Sequence, residues 1–199
     1  TFLARKLGWK RKNPKHQSAA LFGHFEGVRR RPGADAGNIS IYWFEHGWFW
    51  MIPLRGDVMS VGAVCWPDYL KTRRTTPEEF LWRTIALCPE VADRMRGARL
   101  IDKARATGNY SYRAERMVGE GFILIGDAFA FIDPVFSTGV YLAMNSARLG
   151  ADAVDAWLRD PGTADAAFRR FDERVRHGIA TVSWFIYRFT APAMRDLFM

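Results

Sequence analysis

Two groups of polar residues lie about ten positions apart in the stretch GFILIGDAFAFIDPVFSTGV, residues 121–140. The first, Gly126-Asp127, follows an apolar run and offers a carboxylate that can accept hydrogen bonds from sugar hydroxyls. The second, Ser137-Thr138-Gly139, begins a predicted helix, where free backbone N–H groups bind an anion or a carbonyl oxygen. Together the two groups fit one extended ligand, such as a dinucleotide with a polar ring.

Each group also has a purely structural interpretation. Gly-Asp pairs are common in turns, and Ser137 or Thr138 could simply cap the helix. Capping accounts for the second group but gives no reason for Phe131, Asp133 and Pro134. The residues alone therefore leave both the turn and the ligand-binding interpretation open.

The flanking residues predict the elements that position these two groups. FILI (122–125) is short, apolar and β-prone, which is typical of a strand buried on both faces of an α/β sheet. Ligands bind beyond the carboxyl ends of such strands. A helix is predicted over 138–158 because apolar residues recur there at helical spacing. Its packed face is expected to consist of Val140, Met144, Ala147, Ala151, Val154 and Leu158.

An antiparallel, β-rich block is predicted upstream. Its candidate strands cover 18–28, 39–44, 47–54 and 57–66. Short turns connect the last three and can only join antiparallel neighbours, so these strands should form a meander. Their alternation is too aromatic to tell which face is turned towards a ligand.

Further helices are predicted around this block. Residues 3–8 fit the last turns of a helix that ends at a glycine. The best-marked start is at Thr76, which forms a capping box with Glu79, and a shorter helix follows and ends at Gly97. A final helix is predicted from about Thr163. Its apolar face is expected to contain Phe168, Phe171, Val175, Ile179, Val182, Phe185 and Phe189.

The stretch 121–140 resembles the second flavin-binding motif of the group A flavoprotein monooxygenase superfamily. Within that superfamily, the sequence is similar to the flavin-dependent halogenases through two patterns in the expected order. The pattern Trp-x-Trp-x-Ile-Pro is matched by Trp48, Trp50, Ile52 and Pro53. The pattern Phe-x-x-Pro-x-x-Ser-x-Gly is matched by Phe131, Pro134, Ser137 and Gly139. An aromatic core strand would explain either tryptophan alone but not the full first pattern.

The resemblance implies FAD, used as FADH2 with O2, and a chloride or bromide ion. The carboxylate of Asp127 is expected on the ribityl or ribose part of FAD. The residues implied to bind FAD are Gly126, Asp127, Pro134, Ser137 and Gly139. The halide is implied at the backbone N–H groups of Thr138 and Gly139. The wall between flavin and a small aromatic substrate is implied to consist of Trp48, Trp50, Ile52 and Pro53.

The resemblance also carries expectations about substrate, partners and fold. Phe136 precedes the motif serine, where free-tryptophan halogenases have a glutamate, and this difference favours phenolic or pyrrolic substrates. Such a substrate would be free or tethered to an acyl or peptidyl carrier protein, and a separate flavin reductase is the other implied partner. The implied fold combines α+β and α/β parts. It has an antiparallel substrate-domain sheet, the second half of a p-hydroxybenzoate-hydroxylase-like FAD domain, and long C-terminal helices.

Four domains follow from this resemblance. They are the end of the first FAD half (1–16), a substrate domain with helices at 76–97 (17–106), the second FAD half (107–160) and the C-terminal helices (161–199).

Two features of the family's N-terminal half are absent from the sequence. The Gly-x-Gly-x-x-Gly fingerprint for the FAD pyrophosphate is missing, because Gly119 and Gly121 precede a strand and do not open a helix. The family's catalytic lysine has no counterpart, so no catalytic residue is assigned. We therefore expect a C-terminal fragment that is inactive alone and binds FAD weakly or not at all.

Two other functions remain open from the sequence. One is an FAD-dependent aromatic monooxygenase or geranylgeranyl-reductase-like oxidoreductase without halide use. The other is a non-catalytic binding module.

Composition limits the remaining functional classes. The formal charge of +8 comes partly from basic clusters at 10–12, 29–31 and 71–74. Such clusters are usually solvated, and no nucleic-acid-binding module is recognisable, although a phosphate-bearing cofactor or an acidic carrier protein is compatible with them. No apolar run reaches the roughly 18 residues of a membrane span and no signal peptide is evident, so a cytoplasmic protein is expected. The cysteines and histidines lack ligand spacing, so no metal is expected.

Overall fold

A computed structural model describes residues 2–14, 18–108, 110–162 and 164–198. The chain divides into two compact units. The first is formed by the described residues of 1–16 and 111–194, and the second by those of 17–110 and 195–199. Thr163, the expected start of the last helix, and His16, at the expected first domain boundary, lie outside the described residues. The four-domain division stays a prediction.

Strands and helices are numbered in chain order. The strands are Lys10–Lys12 (β1), Ala19–Glu26 (β2), Ser40–Phe44 (β3), Gly47–Pro53 (β4), Met59–Cys65 (β5), Arg99–Leu100 (β6), Arg105–Thr107 (β7), Tyr112–Ala114 (β8), Val118–Gly119 (β9), Phe122–Ile123 (β10) and Ala130–Phe131 (β11). The α-helices are Phe2–Lys6 (α1), Pro67–Leu70 (α2), Pro77–Ile85 (α3), Pro89–Arg94 (α4), Gly139–Arg159 (α5), Asp165–Phe189 (α6) and Pro192–Phe198 (α7). Short 3₁₀ helices cover Gly33–Gly37, Gly126–Ala128 and Pro134–Phe136.

The second unit contains an antiparallel sheet in the strand order β3-β4-β5-β2-β6, and β7 also pairs with β2. The pairs β3–β4 and β4–β5 confirm the predicted meander. One face of the sheet buries Phe25, Phe49 and Met51 in a single cluster with residues of α3 and α4. Helix α3 begins as predicted, because Thr76 Oγ1 accepts from the Glu79 N–H at 3.2 Å and the Glu79 carboxylate accepts from the Thr76 N–H at 3.1 Å.

The first unit contains a three-stranded sheet in the order β1-β8-β11, the β9–β10 hairpin, and the long helices α5 and α6. Its core brings together Leu124 and Phe129 with Leu149 of α5 and Phe171 and Val175 of α6. The mixed α/β class, with antiparallel sheets and long C-terminal helices, is therefore as the sequence predicts.

The strand expected at 122–125 differs from the prediction. Only Phe122 and Ile123 are in a strand, and they pair antiparallel with Val118–Gly119 rather than lying in a buried parallel sheet. The two-residue turn through Gly121 folds the chain straight back, which forces the antiparallel pairing. Only Leu124 among residues 122–125 is buried.

The buried face of α5 also differs from the prediction. Val140, Met144 and Leu158 were expected to pack, but they are 71%, 69% and 68% exposed. The buried residues of the helix are Ser146, Leu149, Gly150 and Ala153. Most of these are small, and a Cβ on Gly150 would lie only 2.6 Å from Ile123 Cδ1. Close approach of the helix backbone, rather than large apolar side chains, therefore selects this face.

Helix α6 agrees with its prediction over its first half. Phe171 and Val175 are buried as expected, whereas Phe185 is 52% exposed. No helix in the described part of the chain is long and apolar enough to cross a membrane.

Candidate functional site

The Gly-Asp turn is fixed directly onto helix α5. Gly126 has a left-handed φ of +49°, and its N–H donates to Ser146 Oγ at 2.9 Å. The Ser146 hydroxyl in turn donates to the Ala143 carbonyl oxygen at 3.0 Å. Ser146 is only 2% exposed, so this hydrogen-bonded link is shielded from water. The turn that carries Asp127 is thus held in register with the helix.

A second contact holds the same turn from strand β8. The Tyr112 hydroxyl donates to the backbone oxygen of Asp127. Burial raises the pKa of Tyr112 to about 12, so the phenol stays protonated and can donate. The Asp127 carboxylate itself accepts no hydrogen bond from the described residues, and partial desolvation raises its pKa. This carboxylate is available to hydroxyl groups of a ligand.

The loop after the turn has its own internal hydrogen bonds. The carboxylate of Asp133 is buried and accepts from the Val135 N–H at 2.9 Å, which starts the 3₁₀ helix Pro134–Phe136. The Ser137 N–H was expected to be free but donates to the Pro134 carbonyl oxygen at 2.8 Å. This expectation was wrong because the 3₁₀ turn uses that donor, with Ser137 itself at a left-handed φ of 51°.

The start of α5 is open. Thr138 is the N-cap residue, and its side chain makes no capping hydrogen bond. Among the described residues, no acceptor meets the backbone N–H of Thr138 or Gly139. These N–H groups lie at the positive end of a helix of 21 residues. The geometry suits an anion or a carbonyl oxygen.

Helix α5 brings the two predicted groups together. A Cβ on Gly126 would lie 2.8 Å from the Ala143 Cβ, so the turn touches the helix at that residue. Ala143 follows Gly139 by one helical turn, which is about 6 Å along the axis. The Asp127 turn and the open helix start therefore belong to one local surface of the first unit.

Phe136 has a packing role in the same unit. Its ring centroid lies 5.0 Å from that of Phe185 and 4.8 Å from that of Phe189, both on α6. Phe136 thus joins the loop to α6.

In the second unit, strand β4 separates its residues by face. Phe49 and Met51 belong to the helix-covered core, so alternation turns Trp48, Trp50 and Ile52 to the opposite face. The structure thus shows which face of the sheet packs against the helices, and the assignment of the other face to a ligand stays a prediction.

This second face of the sheet is aromatic. The Trp50 ring centroid lies 6.0 Å from that of Trp48 and 5.9 Å from that of Phe22. The Trp50 indole N–H donates to Ser60 Oγ at 3.1 Å. The buried indole N–H of Trp48 has no acceptor among the described residues, and Pro53 is half-buried at the end of the strand.

Two residues that organise the site were missed from the sequence. Ser146 carried a signal, since it is a polar residue within the small-residue run Asn145-Ser146-Ala147 of a predicted packed helix. Tyr112 carried none, because its contact depends on the pairing of β8 with β11.

Comparison with known proteins identifies a family whose model covers both sequence patterns. The family model described as tryptophan halogenase matches residues 38–196. The chain belongs to the tryptophan halogenase family. This match includes both sequence patterns, Trp48 to Pro53 and Phe131 to Gly139.

Individual members of the family are clearly similar. A 1H-pyrrole-2-carbonyl-[peptidyl-carrier protein] chlorinase of Pseudomonas fluorescens is 28% identical over 89% of this chain and 41% of its own length. A tryptophan 2-halogenase of Chondromyces crocatus is 38% identical over 69% of this chain and 27% of its own. The solved structure of the myxobacterial chondrochloren halogenase, a variant of the FAD-dependent halogenases, superposes with a TM-score of 0.83. It is 34% identical, over 89% of this chain and 42% of that one.

The chain spans less than half the length of these relatives. Its relatives and structural neighbours are flavin-dependent enzymes. Among the described residues of this family member, no group of three or more His, Cys, Asp or Glu side chains could hold a metal ion.

Proposed function

We propose that the protein is an FADH2- and O2-dependent halogenase that chlorinates or brominates an electron-rich phenol or pyrrole. The observation that supports this best is the pairing of an available carboxylate, Asp127, with the unused N–H groups of Thr138 and Gly139 on one surface of α5. A flavin halogenase needs both, because a sugar-like chain requires an acceptor and a halide requires donors.

The residues of the first unit fit FAD and a halide. Reduced FAD, when bound, supplies with O2 the oxidising equivalent that converts a halide into hypohalous acid. Asp127 would accept hydrogen bonds from the ribityl or ribose hydroxyls, and the absence of a side chain on Gly126 lets the turn that carries Asp127 lie against Ala143 of α5. Pro134 and Ser137 shape the loop beside the flavin ring.

The halide is assigned to the start of α5. The N–H groups of Thr138 and Gly139 and the helix dipole stabilise a bound anion. Chloride and bromide both meet these requirements.

The aromatic face of β4 is assigned to the wall of the substrate site. Trp50 and Ile52, with Trp48 and Pro53, offer an apolar surface that packs against an aromatic ring and excludes water. Such a wall would keep the flavin from reacting directly with the substrate.

Two observations favour a phenol or a pyrrole as the substrate, and one favours tryptophan. Phe136 is apolar where free-tryptophan halogenases have a glutamate, and one relative acts on a pyrrole-2-carbonyl group on a peptidyl carrier protein. The similarity to a tryptophan 2-halogenase makes free tryptophan the necessary comparison substrate. We propose a carrier-tethered pyrrole first, with a separate flavin reductase as the second partner.

The test is a product assay with the intact protein, reduced FAD, O2 and either halide. The substrates are a phenol, a pyrrole-2-carbonyl group on a carrier protein, and tryptophan. We expect halogenated phenol or pyrrole that depends on added halide. Hydroxylated product, or no halogenated product with any substrate, would refute the proposal.

Gly139→Pro tests the halide assignment within the same assay. Proline removes the N–H and its fixed φ suits the first position of a helix, but it disfavours the helical conformation of Thr138, so urea denaturation checks the fold of the variant. Gly139→Ala keeps the N–H and serves as the matched control. The proline variant should lose most halogenation and the alanine variant should retain it. Equal activity in both would mean that the halide binds elsewhere.

A further inference from the structure

A groove of about 510 Å³ in the first unit shares only Tyr112 with the site described above. It lies between the β1-β8-β11 sheet and the second half of α6. Its lining includes the cations Arg11, Lys12 and Arg113 and the apolar or aromatic residues Ile132, Ile179 and Trp184. No carboxylate belongs to the lining among the described residues.

The charges along this groove are unfavourable for the fold by themselves. Arg11 and Arg113 are directly paired across β1 and β8, and directly opposite residues of an antiparallel pair share one face. Like charges in that position destabilise a sheet. Glu115 offsets Arg11 through an ion pair of 2.5 Å, whereas Arg113 and Lys12 have no ion pair in the described part of the chain.

The fold itself uses some cations of the other basic clusters. Arg29 pairs with Asp93, and Arg30 donates to the carbonyl oxygens of Leu54, Gly56 and Val58. Lys71 pairs with Asp68 at 2.8 Å. The cluster at β1 and β8 carries more positive charge than the ion pairs of its described residues balance, and because it lines a groove this charge complements an anion.

The groove combines this charge with an apolar floor and a few polar groups. Ile132 is buried, and Ile179 and Trp184 of α6 offer apolar surface, with the hydroxyl of Ser183 between them on the same helix. Burial raises the pKa of Tyr187, which keeps its hydroxyl neutral at this wall. A ligand with an anionic end and a long uncharged chain matches such a lining.

We propose that this groove binds the phosphate-bearing pantetheine arm of an acidic carrier protein, with the phosphate at Arg113. The inference rests on the proposed function, since a carrier-tethered ring requires such an arm. The groove residue Ile132 belongs to the segment between Asp127 and Ser137, so the groove and the proposed halide site are parts of the same unit.

The test compares charge variants of the intact protein. Arg113→Glu should raise the ratio of KM for carrier-bound pyrrole-2-carbonyl to KM for the untethered phenol at least tenfold. The Arg113→Glu variant should fold, because the new carboxylate lies opposite Arg11 and replaces a repulsive pair of side chains with an attractive one. Arg113→Lys keeps the charge and should shift the ratio less than threefold. The matched control, Arg74→Glu, changes an exposed cation of another cluster and should leave the ratio unchanged.

A binding measurement distinguishes this site from a general attraction to acidic proteins. Free 4′-phosphopantetheine should compete with the loaded carrier, and pantetheine without the phosphate should compete at least tenfold more weakly. Equal competition by both compounds, or an unchanged KM ratio in Arg113→Glu, would overturn the inference. Halogenation of untethered phenol in the same experiment would support the proposed halogenase function even if the groove does not bind the arm.

Discussion

Gly126→Ala is expected to destabilise the protein by about 2–5 kcal/mol. A residue with a Cβ pays roughly 1–2 kcal/mol for a left-handed conformation, and Gly126 has a φ of +49°. The new Cβ would lie 2.8 Å from the Ala143 Cβ and 3.1 Å from its Cα. Both atoms are fixed to the backbone of α5, so overpacking adds roughly 1–3 kcal/mol.

Gly121→Ala is the matched control for this prediction. Gly121 has a φ of +74°, but nothing lies within 4 Å of its Cβ position, so alanine there carries the conformational cost alone. Each variant is made in the intact protein and denatured with urea, and unfolding is monitored by fluorescence. The two curves give the difference in the free energy of unfolding between the variants. That difference should be about 1–3 kcal/mol, and Ala143→Gly should recover part of it in the double variant. Equal losses in the two single variants would refute the contact between the turn and the helix.

Four further predictions concern the same unit. Ser146→Ala removes the acceptor for the Gly126 N–H and should cost about 1–3 kcal/mol of unfolding free energy, which urea denaturation would detect. Phe136→Ala should cost about 1–3 kcal/mol, less than a fully buried phenylalanine, because half-buried Phe136 loses its ring contacts with α6. The folded-state pKa of Tyr112 is raised from 10.0 to about 12, so its contribution to stability is complete below pH 10 and is lost as pH rises to 12. Tyr112→Phe should flatten the unfolding free energy across that window. In the intact enzyme, Asp127→Ala should weaken FAD binding by about 1.5–3 kcal/mol in a flavin titration, and unchanged affinity would contradict its assignment.

The sequence predicted the elements whose signals are local. The capping box at Thr76 and Glu79 marks a helix start through residues three positions apart, and the short turns of the meander dictate antiparallel pairing. Both depend on neighbours in the chain, so no tertiary knowledge was needed.

Elements decided by tertiary packing could not be predicted in this way. Hydrophobic periodicity pointed to Val140 and Met144 as the packed face of α5, but close contact with the β10 hairpin needs small residues such as Gly150. Periodicity assigns the apolar face of a helix to the core. In α5, Val140 and Met144 are exposed and Gly150 is buried, so this assignment selects the wrong face. The polar Ser146 in a packed helix was a signal, but its partner could not be identified from the sequence, because Gly126 lies twenty positions away.

The alternation along β4 has a consequence for engineering this protein. Trp50 and Ile52 are half-buried and point away from the core that holds Phe49 and Met51, so substitutions at these two positions leave the packing between sheet and helices intact, whereas Trp48 is fully buried. A variant library limited to positions 50 and 52 would sample ring size and polarity at small cost in expression. An insertion or deletion in the turn before β4 would exchange the two sets of side chains at once. Substrate range in this fold is therefore expected to change through point substitutions and not through changes in loop length.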